Sequence, residues 1–219
     1  MHHLIERVLS FSNHVSSQEE KSISTTQLIG PAYKAKLRLD KVPETVDMDP
    51  LKKRGAAIGS GFHMWAEEAL KNDNTLVQEY YMEKRIGDYL ITGTLDLVEK
   101  LPSSKMVIYD WKTGVKGNFE QESIEKAKIQ MSIYRWMLAD TILAKTGNYQ
   151  ILDFATILYI STSKNSVEDI DVELMSYQET EEYINAKLFL IESVDRADCH
   201  TALGSWACDY CSFQCEFRK

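Results

Sequence analysis

Apolar and polar residues alternate along this chain in two different rhythms, and the changes of rhythm mark its elements. Between residues 77 and 112 the period is close to two. "VQEYYMEKRI" (77–86), "YLITGTLDLVE" (89–99) and "KMVIYDWK" (105–112) are rich in β-branched and aromatic residues and are separated by the turn signals "GD" and "LPSS". They predict three strands joined as antiparallel hairpins. From 121 to 145, "QESIEKAKIQMSIYRWMLADTILAK", the period lengthens: Ile129, Ile133, Trp136 and Met137 recur at helical spacing, so one long helix is predicted. "ILDFATILYIS" (151–161) reads as an apolar strand, "DIDVELM" (169–175) as a half-exposed one, and 176–195 as a helix again.

The first fifty residues are less regular. Residues 2–14 predict a short amphipathic helix, followed by the polar stretch "SSQEEKS". "STTQLIGPAYKAKLRL" (24–39) opens with helix-capping residues and is broken or offset at Gly30-Pro31. A turn-rich loop, "DKVPETVDMDP", leads to a helix over 51–71. No internal repeat interrupts this order. Helices and strands in this alternation predict an α/β layered domain with a mixed sheet.

A length of 219 residues suits one large domain with a sizeable core. With 44% hydrophobic and 26% charged residues, the composition is that of a globular chain. No apolar run approaches the roughly 18 residues of a membrane span, and "MHHLIERVLSF" lacks a secretory pattern. A cytoplasmic location, in a bacterial, archaeal or phage-infected cell, is the expectation. The net charge of −8 argues against indiscriminate binding to polyanions. That charge is uneven: residues 31–54 hold seven Lys/Arg against four acids, whereas 165–198 hold ten acids against Lys187 and Arg196. A basic working face is permitted, although two solvated helix faces would account for the same asymmetry.

Candidate chemistry centres on "VIYDWKTG" (107–114). Strand alternation puts Val107, Tyr109 and Trp111 on one face and Ile108, Asp110 and Lys112 on the other. The expectation is an aromatic core face and a polar reaction face. Asp96, between Leu95 and Leu97 on the preceding strand, is a carboxylate in an apolar run, costly unless it is paired or binds a cation. Two carboxylates converging at a sheet edge make a hard oxygen site suited to Mg²⁺ or Mn²⁺, with Lys112 beside it to orient water and stabilise phosphoryl charge. An exposed Asp110–Lys112 strand pair with Asp96 in a turn would explain those residues equally well. His63 on the upstream helix, and Gln130 and Tyr134 four apart on the long helix, are commonplace singly.

Taken together they are specific. Gly59 to Glu67 ("GxxxHxxxE", with His63), Gly93 to Asp96 ("GxxD"), Asp110 to Gly114 ("DWKTG") and Gln130 to Tyr134 ("QxxxY") resemble the RecB-like branch of the PD-(D/E)XK nuclease superfamily. "STTQLIGP" resembles that branch's opening helix, and the likeness spans roughly residues 24–215. It implies a restriction-endonuclease-like core, a mixed sheet flanked by helices, in a single domain over 1–219. Within it, 1–50 would be N-terminal helices, 51–195 the catalytic core and 196–219 a Cys-rich tail. It also implies that His63, Asp96, Asp110 and the Trp111 backbone carbonyl ligate the metal and that Lys112 acts on water. Gln130 and Tyr134 would position the DNA strand or the lysine. Leu95 stands where a proline usually precedes the first acid. Glu79 or Glu83 would add a further carboxylate, with register undetermined.

All four cysteines, Cys199, Cys208, Cys211 and Cys215, lie in the last 21 residues with the spacing C-x8-C-x2-C-x3-C. Such crowding points to a structural metal, tetrahedral zinc or a [4Fe–4S] cluster, with His200 as an alternative zinc ligand to Cys199. Iron–sulfur members of the branch carry three C-terminal cysteines and a fourth near the N-terminus, whereas this chain has none before residue 199.

The expected function is thus a metal-dependent deoxyribonuclease, an exonuclease on linear or single-stranded DNA serving recombination, repair or replication, and a phage-encoded exonuclease fits a short chain of this kind. A non-catalytic DNA-binding or assembly module on the same fold and a CRISPR adaptation nuclease are the alternatives. The resemblance admits a homo-oligomer or a recombination or replication partner, and no segment of the sequence marks an interface with either.

Overall fold

The computed structural model describes residues 21–45, 54–114, 119–164, 166–194 and 211–213. Its first element is a short strand, β1 (Lys21–Ser24). Ser24 ends it and starts helix α1 (Thr25–Ile29) through a reciprocal cap. The Gln27 N–H donates to Ser24 Oγ, and the Ser24 N–H donates to Gln27 Oε1. Gly30-Pro31 then breaks the helix as the sequence predicts, and α2 (Ala32–Leu39) resumes after Pro31. Helix α3 (Arg54–Leu70) follows, then the strands β2 (Leu76–Ile86), β3 (Tyr89–Leu101) and β4 (Lys105–Gly114). Next come α4 (Gln121–Leu138), the short α5 (Ile142–Thr146), β5 (Gln150–Ser161), β6 (Ser166–Glu173) and α6 (Tyr177–Ser193).

Among the described residues the strands form one mixed sheet in the order β1-β3-β4-β5-β6, with β2 also on β3. The predicted antiparallel hairpins β2–β3 and β3–β4 are present. Strands β4 and β5 are parallel, with α4 in the crossover between them. Strand β3 carries the arrangement that matters for function. Along one edge it pairs with β2 over nearly its whole length. Its other edge is shared, with β1 beside Tyr89–Thr92 and β4 beside Leu97–Leu101. Between those two neighbours, from Gly93 to Asp96, no described strand covers that edge, and the sheet opens.

The main core packs Ile91, Leu95, Val98, Met106, Ile108 and Ile157 of the sheet against Met131, Ile133, Met137 and Leu138 of α4 and Ile184, Leu188 and Ile191 of α6. Each fully buried aliphatic side chain contributes about 1.5–3 kcal/mol. Every residue of α4 from Met131 to Leu138 is buried, which fixes that helix rigidly over the sheet.

Three details depart from the sequence reading. The end of the polar stretch 16–22 runs into β1, whose only buried apolar residue is Ile23. The predicted helix 121–145 is two helices, because Thr141 Oγ1 accepts the Ala144 N–H and restarts the chain as α5. Finally, the main core lies on the Ile108 side of β4, the same side as Asp110 and Lys112, not on its aromatic side. Trp111 instead packs edge-on against Phe62 of α3, and the Tyr109 hydroxyl donates to Glu99 at 2.8 Å.

The alternation also slips by one residue in two strands at once. Core positions run Ile91, Leu95 and then Val98 along β3, and Met82, Tyr80 and then Val77 along β2. Register is kept on both sides of the slip, Tyr80 with Leu95 and Gln78 with Leu97, while the intervening rung of Glu79 and Asp96 is unpaired. Glu79 there has a left-handed φ of 45°. For a non-glycine residue that conformation costs about 1–2 kcal/mol, and such strain concentrates at functional positions.

Candidate active site

The slipped rung delivers two carboxylates to one place, and a third group reaches them from α3. Asp96 is held by its backbone neighbour across the gap: the Trp111 N–H donates to Asp96 Oδ2 at 2.9 Å. His63 Nδ1 lies 3.4 Å from Glu79 Oε1 and 3.7 Å from Asp96 Oδ1. One potential ligand atom from each of His63, Glu79 and Asp96 lies within 4.8 Å of the others. Helix α3 presents the imidazole by docking on the sheet from Gly59, close to Thr113, to Glu67, whose carbonyl accepts from Gln78. Phe62 meets the Trp111 ring at 5.3 Å, and Ala66 is the helix's buried residue.

Asp110 occupies the next position beyond the last β3–β4 rung, Leu97 with Tyr109, and is 2% exposed. Lys112 Nζ approaches its Oδ2 to 2.6 Å. The contact is an ion pair, and Oδ2 has no hydrogen-bond partner. Lys112 also donates to Gln130 Oε1 at 3.3 Å, and Gln130 Nε2 donates to the Tyr134 hydroxyl at 2.9 Å. Since Gln130 and Tyr134 lie on the buried face of α4, the ammonium is fixed from the core.

Electrostatics set the character of the cluster. Burial, with the nearby Asp110 carboxylate second, pushes Asp96 up to about 6. Burial raises Asp110 as well, against the opposing pull of Lys112. The hydrogen bond with Glu79 holds His63 above its ordinary value, and burial raises the Tyr134 phenol. Two sunken carboxylates with one ammonium between them are short of positive charge. The raised Asp96 and the His63–Glu79–Asp96 donor set, with the buried Asp110 carboxylate nearby, together fit a divalent cation. Oxygen donors with one imidazole suit a hard ion such as Mg²⁺ or Mn²⁺.

A cavity of about 420 Å³ opens over these groups at the gap in the sheet edge. His63, Asp96, Trp111, Lys112, Gln130 and Tyr134 line it. Gly93 forms part of its floor, where a Cβ would lie 2.7 Å from the Tyr134 ring and 2.8 Å from Thr25 Oγ1. Glycine is required there for close approach between β3 and α4.

The structure therefore brings together His63, Asp96, Lys112, Gln130 and Tyr134, with Asp110 behind Lys112. Asp110 stands outside the His63–Glu79–Asp96 cluster, and Glu79 stands inside it. Of the two glutamates weighed on β2, Glu83 lies four residues further along, where its carboxylate faces the Tyr81 hydroxyl at 3.5 Å. The slip that separates them leaves no mark in the residue pattern. Of the four cysteines, Cys199, Cys208 and Cys215 lie outside the described residues. Cys211 is half-buried beside the buried Ser212 and Phe213.

With this geometry in view, the chain was compared with known proteins. The family model of the PD-(D/E)XK nuclease superfamily matches residues 1–215. The chain belongs to this superfamily. Among solved structures, the crystal structure of SSO0001 is similar over 99% of this chain and 96% of that one, with a TM-score of 0.66 at 17% identity. That likeness is one of fold. A protein of Eubacterium rectale provisionally named an exonuclease matches at 11% identity over 81% of this chain and 66% of its own, with a TM-score of 0.31. A search of the curated proteins finds no match. The superfamily's mixed α/β fold is the one described above, and among the described residues no helix is long and apolar enough to cross a membrane.

Proposed function

We propose that this chain is a divalent-metal-dependent deoxyribonuclease that acts as an exonuclease on linear or single-stranded DNA. The observation that carries the reading is the convergence of His63, Asp96 and Lys112 on one cavity at the break in the sheet edge, with the buried Asp110 paired to Lys112 behind its wall. Superfamily membership supports it.

His63, Asp96 and Asp110, with the Trp111 carbonyl, would hold Mg²⁺ or Mn²⁺, and Glu79 would add a carboxylate from the strained rung. The bound ion supplies Lewis-acid polarisation of the phosphodiester and a lowered pKa for water. The protein's own groups do the rest. Lys112, fixed by Gln130 and Asp110, orients the attacking water and stabilises negative charge on a phosphoryl oxygen. Tyr134 holds Gln130, and through it the lysine. The water oxygen bonds to phosphorus as the bond to the 3′ oxygen breaks. A proton passes to that leaving oxygen, and the products carry a 5′ phosphate and a 3′ hydroxyl. A strand-end activity of this kind serves recombination, repair or replication.

Incubation with linear duplex, single-stranded and covalently closed circular DNA tests the reading. With Mg²⁺ or Mn²⁺ the linear substrates are expected to be degraded, the closed circle to survive, and chelation to stop the reaction. Cutting of the closed circle would remove the exonuclease assignment and leave a nuclease. No degradation of any substrate with either ion would leave a DNA-binding module on a nuclease fold.

Glu79 has its own test. Glu79→Gln is expected to weaken Mn²⁺ binding roughly 10- to 100-fold by titration calorimetry, whereas Glu83→Gln leaves it unchanged. Equal affinity in both variants would remove Glu79 from the ligand set.

A further inference from the structure

A cluster of aromatic rings runs outward from the cavity. The Trp111 ring lines the cavity, Phe62 packs against it at 5.3 Å, and Trp65 packs against Phe62 at 5.6 Å. The inner two are partly covered, but Trp65 is 66% exposed and keeps a broad ring surface in water. Tyr81, which also lines the cavity, is 59% exposed. One exposed ring, Tyr81, lies on the cavity wall, and another, Trp65, stands beyond the wall against Phe62, an unusual use of a solvent-facing surface.

The remaining wall is of a different chemistry. Ser24, Thr25, Thr26, Thr92 and Thr94 line it, the Thr25 hydroxyl being committed to the Thr92 carbonyl at 3.1 Å. Ser24 Oγ accepts the Gln27 N–H, which leaves its own proton to donate outward. The cavity thus offers neutral hydroxyls on one side and aromatic faces on another, with the cation ligands between them. A single nucleic-acid strand has the matching layout: a phosphate backbone that accepts hydrogen bonds, and flat bases projecting from it. Paired bases inside a duplex are already stacked on both faces, so an exposed ring favours the unpaired base.

We infer that Trp65, connected to the cavity wall through Phe62 and Trp111, is a stacking platform for an unpaired base of the strand that enters the cavity, with Tyr81 as a second ring at the wall and the hydroxyl wall along the backbone. The substrate class is a single-stranded DNA segment, free or frayed from a duplex end. This inference rests on the nuclease reading above and names the feature that selects the strand state.

The test is equilibrium binding of dye-labelled oligothymidine and of a blunt hairpin duplex, followed by anisotropy with Ca²⁺ replacing Mg²⁺. Trp65→Ala is expected to weaken oligothymidine binding roughly tenfold, the worth of one stacked base. Trp65→Phe is expected to restore most of the affinity, and hairpin binding to stay unchanged. Because Trp65 is exposed, both variants should melt with the wild type by thermal scan, and Tyr81→Ala provides an independent second variant with a smaller loss. Wild-type affinity for oligothymidine in Trp65→Ala would overturn the stacking platform while the nuclease reading stands. A wild-type protein that binds neither DNA would overturn both. A change in mass by light scattering in Trp65→Ala, with unchanged DNA binding, would show that the ring serves contact between copies of the chain instead.

Discussion

Lys112→Ala is expected to lower the rate of linear-DNA hydrolysis by roughly 10²–10⁴-fold while the protein stays folded. The size follows from what the ammonium does: it is a positive group at the cavity wall, held from two sides. Asp110 Oδ2 lies 2.6 Å away, Gln130 Oε1 accepts from it at 3.3 Å, and Gln130 is in turn fixed by Tyr134. Such a group is oriented before the substrate arrives and needs no reorganisation during reaction. Alanine removes the charge and also strands Asp110, whose buried carboxylate loses its counter-ion. Lys112→Arg should fail almost as badly, because a planar guanidinium cannot occupy the point position between Asp110 and Gln130. Initial rates on linear duplex and single-stranded DNA, with circular dichroism as the check on folding, measure this. Activity within a few-fold of wild type in Lys112→Ala would remove the lysine from the mechanism.

Asp96→Asn is expected to abolish activity and to raise the melting temperature of the metal-free protein at pH 7. Burial and the neighbouring Asp110 push the Asp96 carboxyl up to about 6 from an ordinary 3.8. A carboxyl raised in the folded state is protonated there at pH values where the unfolded chain has already ionised. Its contribution is therefore nil below about pH 4 and grows unfavourable as pH rises from 4 to 6. Above 6 it stays at a full cost on the order of 2–3 kcal/mol. Asparagine removes that cost and keeps an acceptor for the Trp111 N–H. A gain of roughly 5–10 °C at pH 7, vanishing near pH 4, is the expected signature in chelator. Added Mn²⁺ should raise the melting temperature of the wild type and leave the variant unmoved. A variant less stable than wild type at pH 7 without metal would show that Asp96 is held by contacts worth more than its burial costs.

The two experiments together describe a site kept at the expense of stability. Two sunken carboxylates, a glutamate with left-handed backbone and a sheet edge left open all cost free energy in the metal-free protein. The rigid α4, buried on every residue from Met131 to Leu138, is what allows the rest of the molecule to carry that cost.

Much of this was legible in the sequence, for definite reasons. The hairpins of β2, β3 and β4 followed from period-two runs and from the turn pairs "GD" and "LPSS". Gly30-Pro31 broke the first helices because proline has no N–H to give and glycine tolerates the turn. The order of His63, Asp96, Asp110, Lys112, Gln130 and Tyr134 pointed to the superfamily that the family comparison then showed. β1 was hidden because four residues with one buried apolar side chain carry no period. Its partner β3 lies more than sixty residues away. The face of β4 was misread for a related reason: alternation tells which residues share a face, but not which face the helices will cover.

The amino-acid sequence by itself determined most of the elements, their hairpin connections and the candidate polar residues for chemistry, because those depend on local period and turn-forming residues. Only the tertiary structure decided that Glu79 rather than Glu83 joins His63 and Asp96, that Asp110 sits behind its lysine, and that Tyr81 lines the opening while Trp65 is joined to it through Phe62 and Trp111. The physical reason is the paired slip at Glu79 and Asp96. Both strands lose one step of alternation together, register is preserved, and neither chain shows the change until the two are laid side by side.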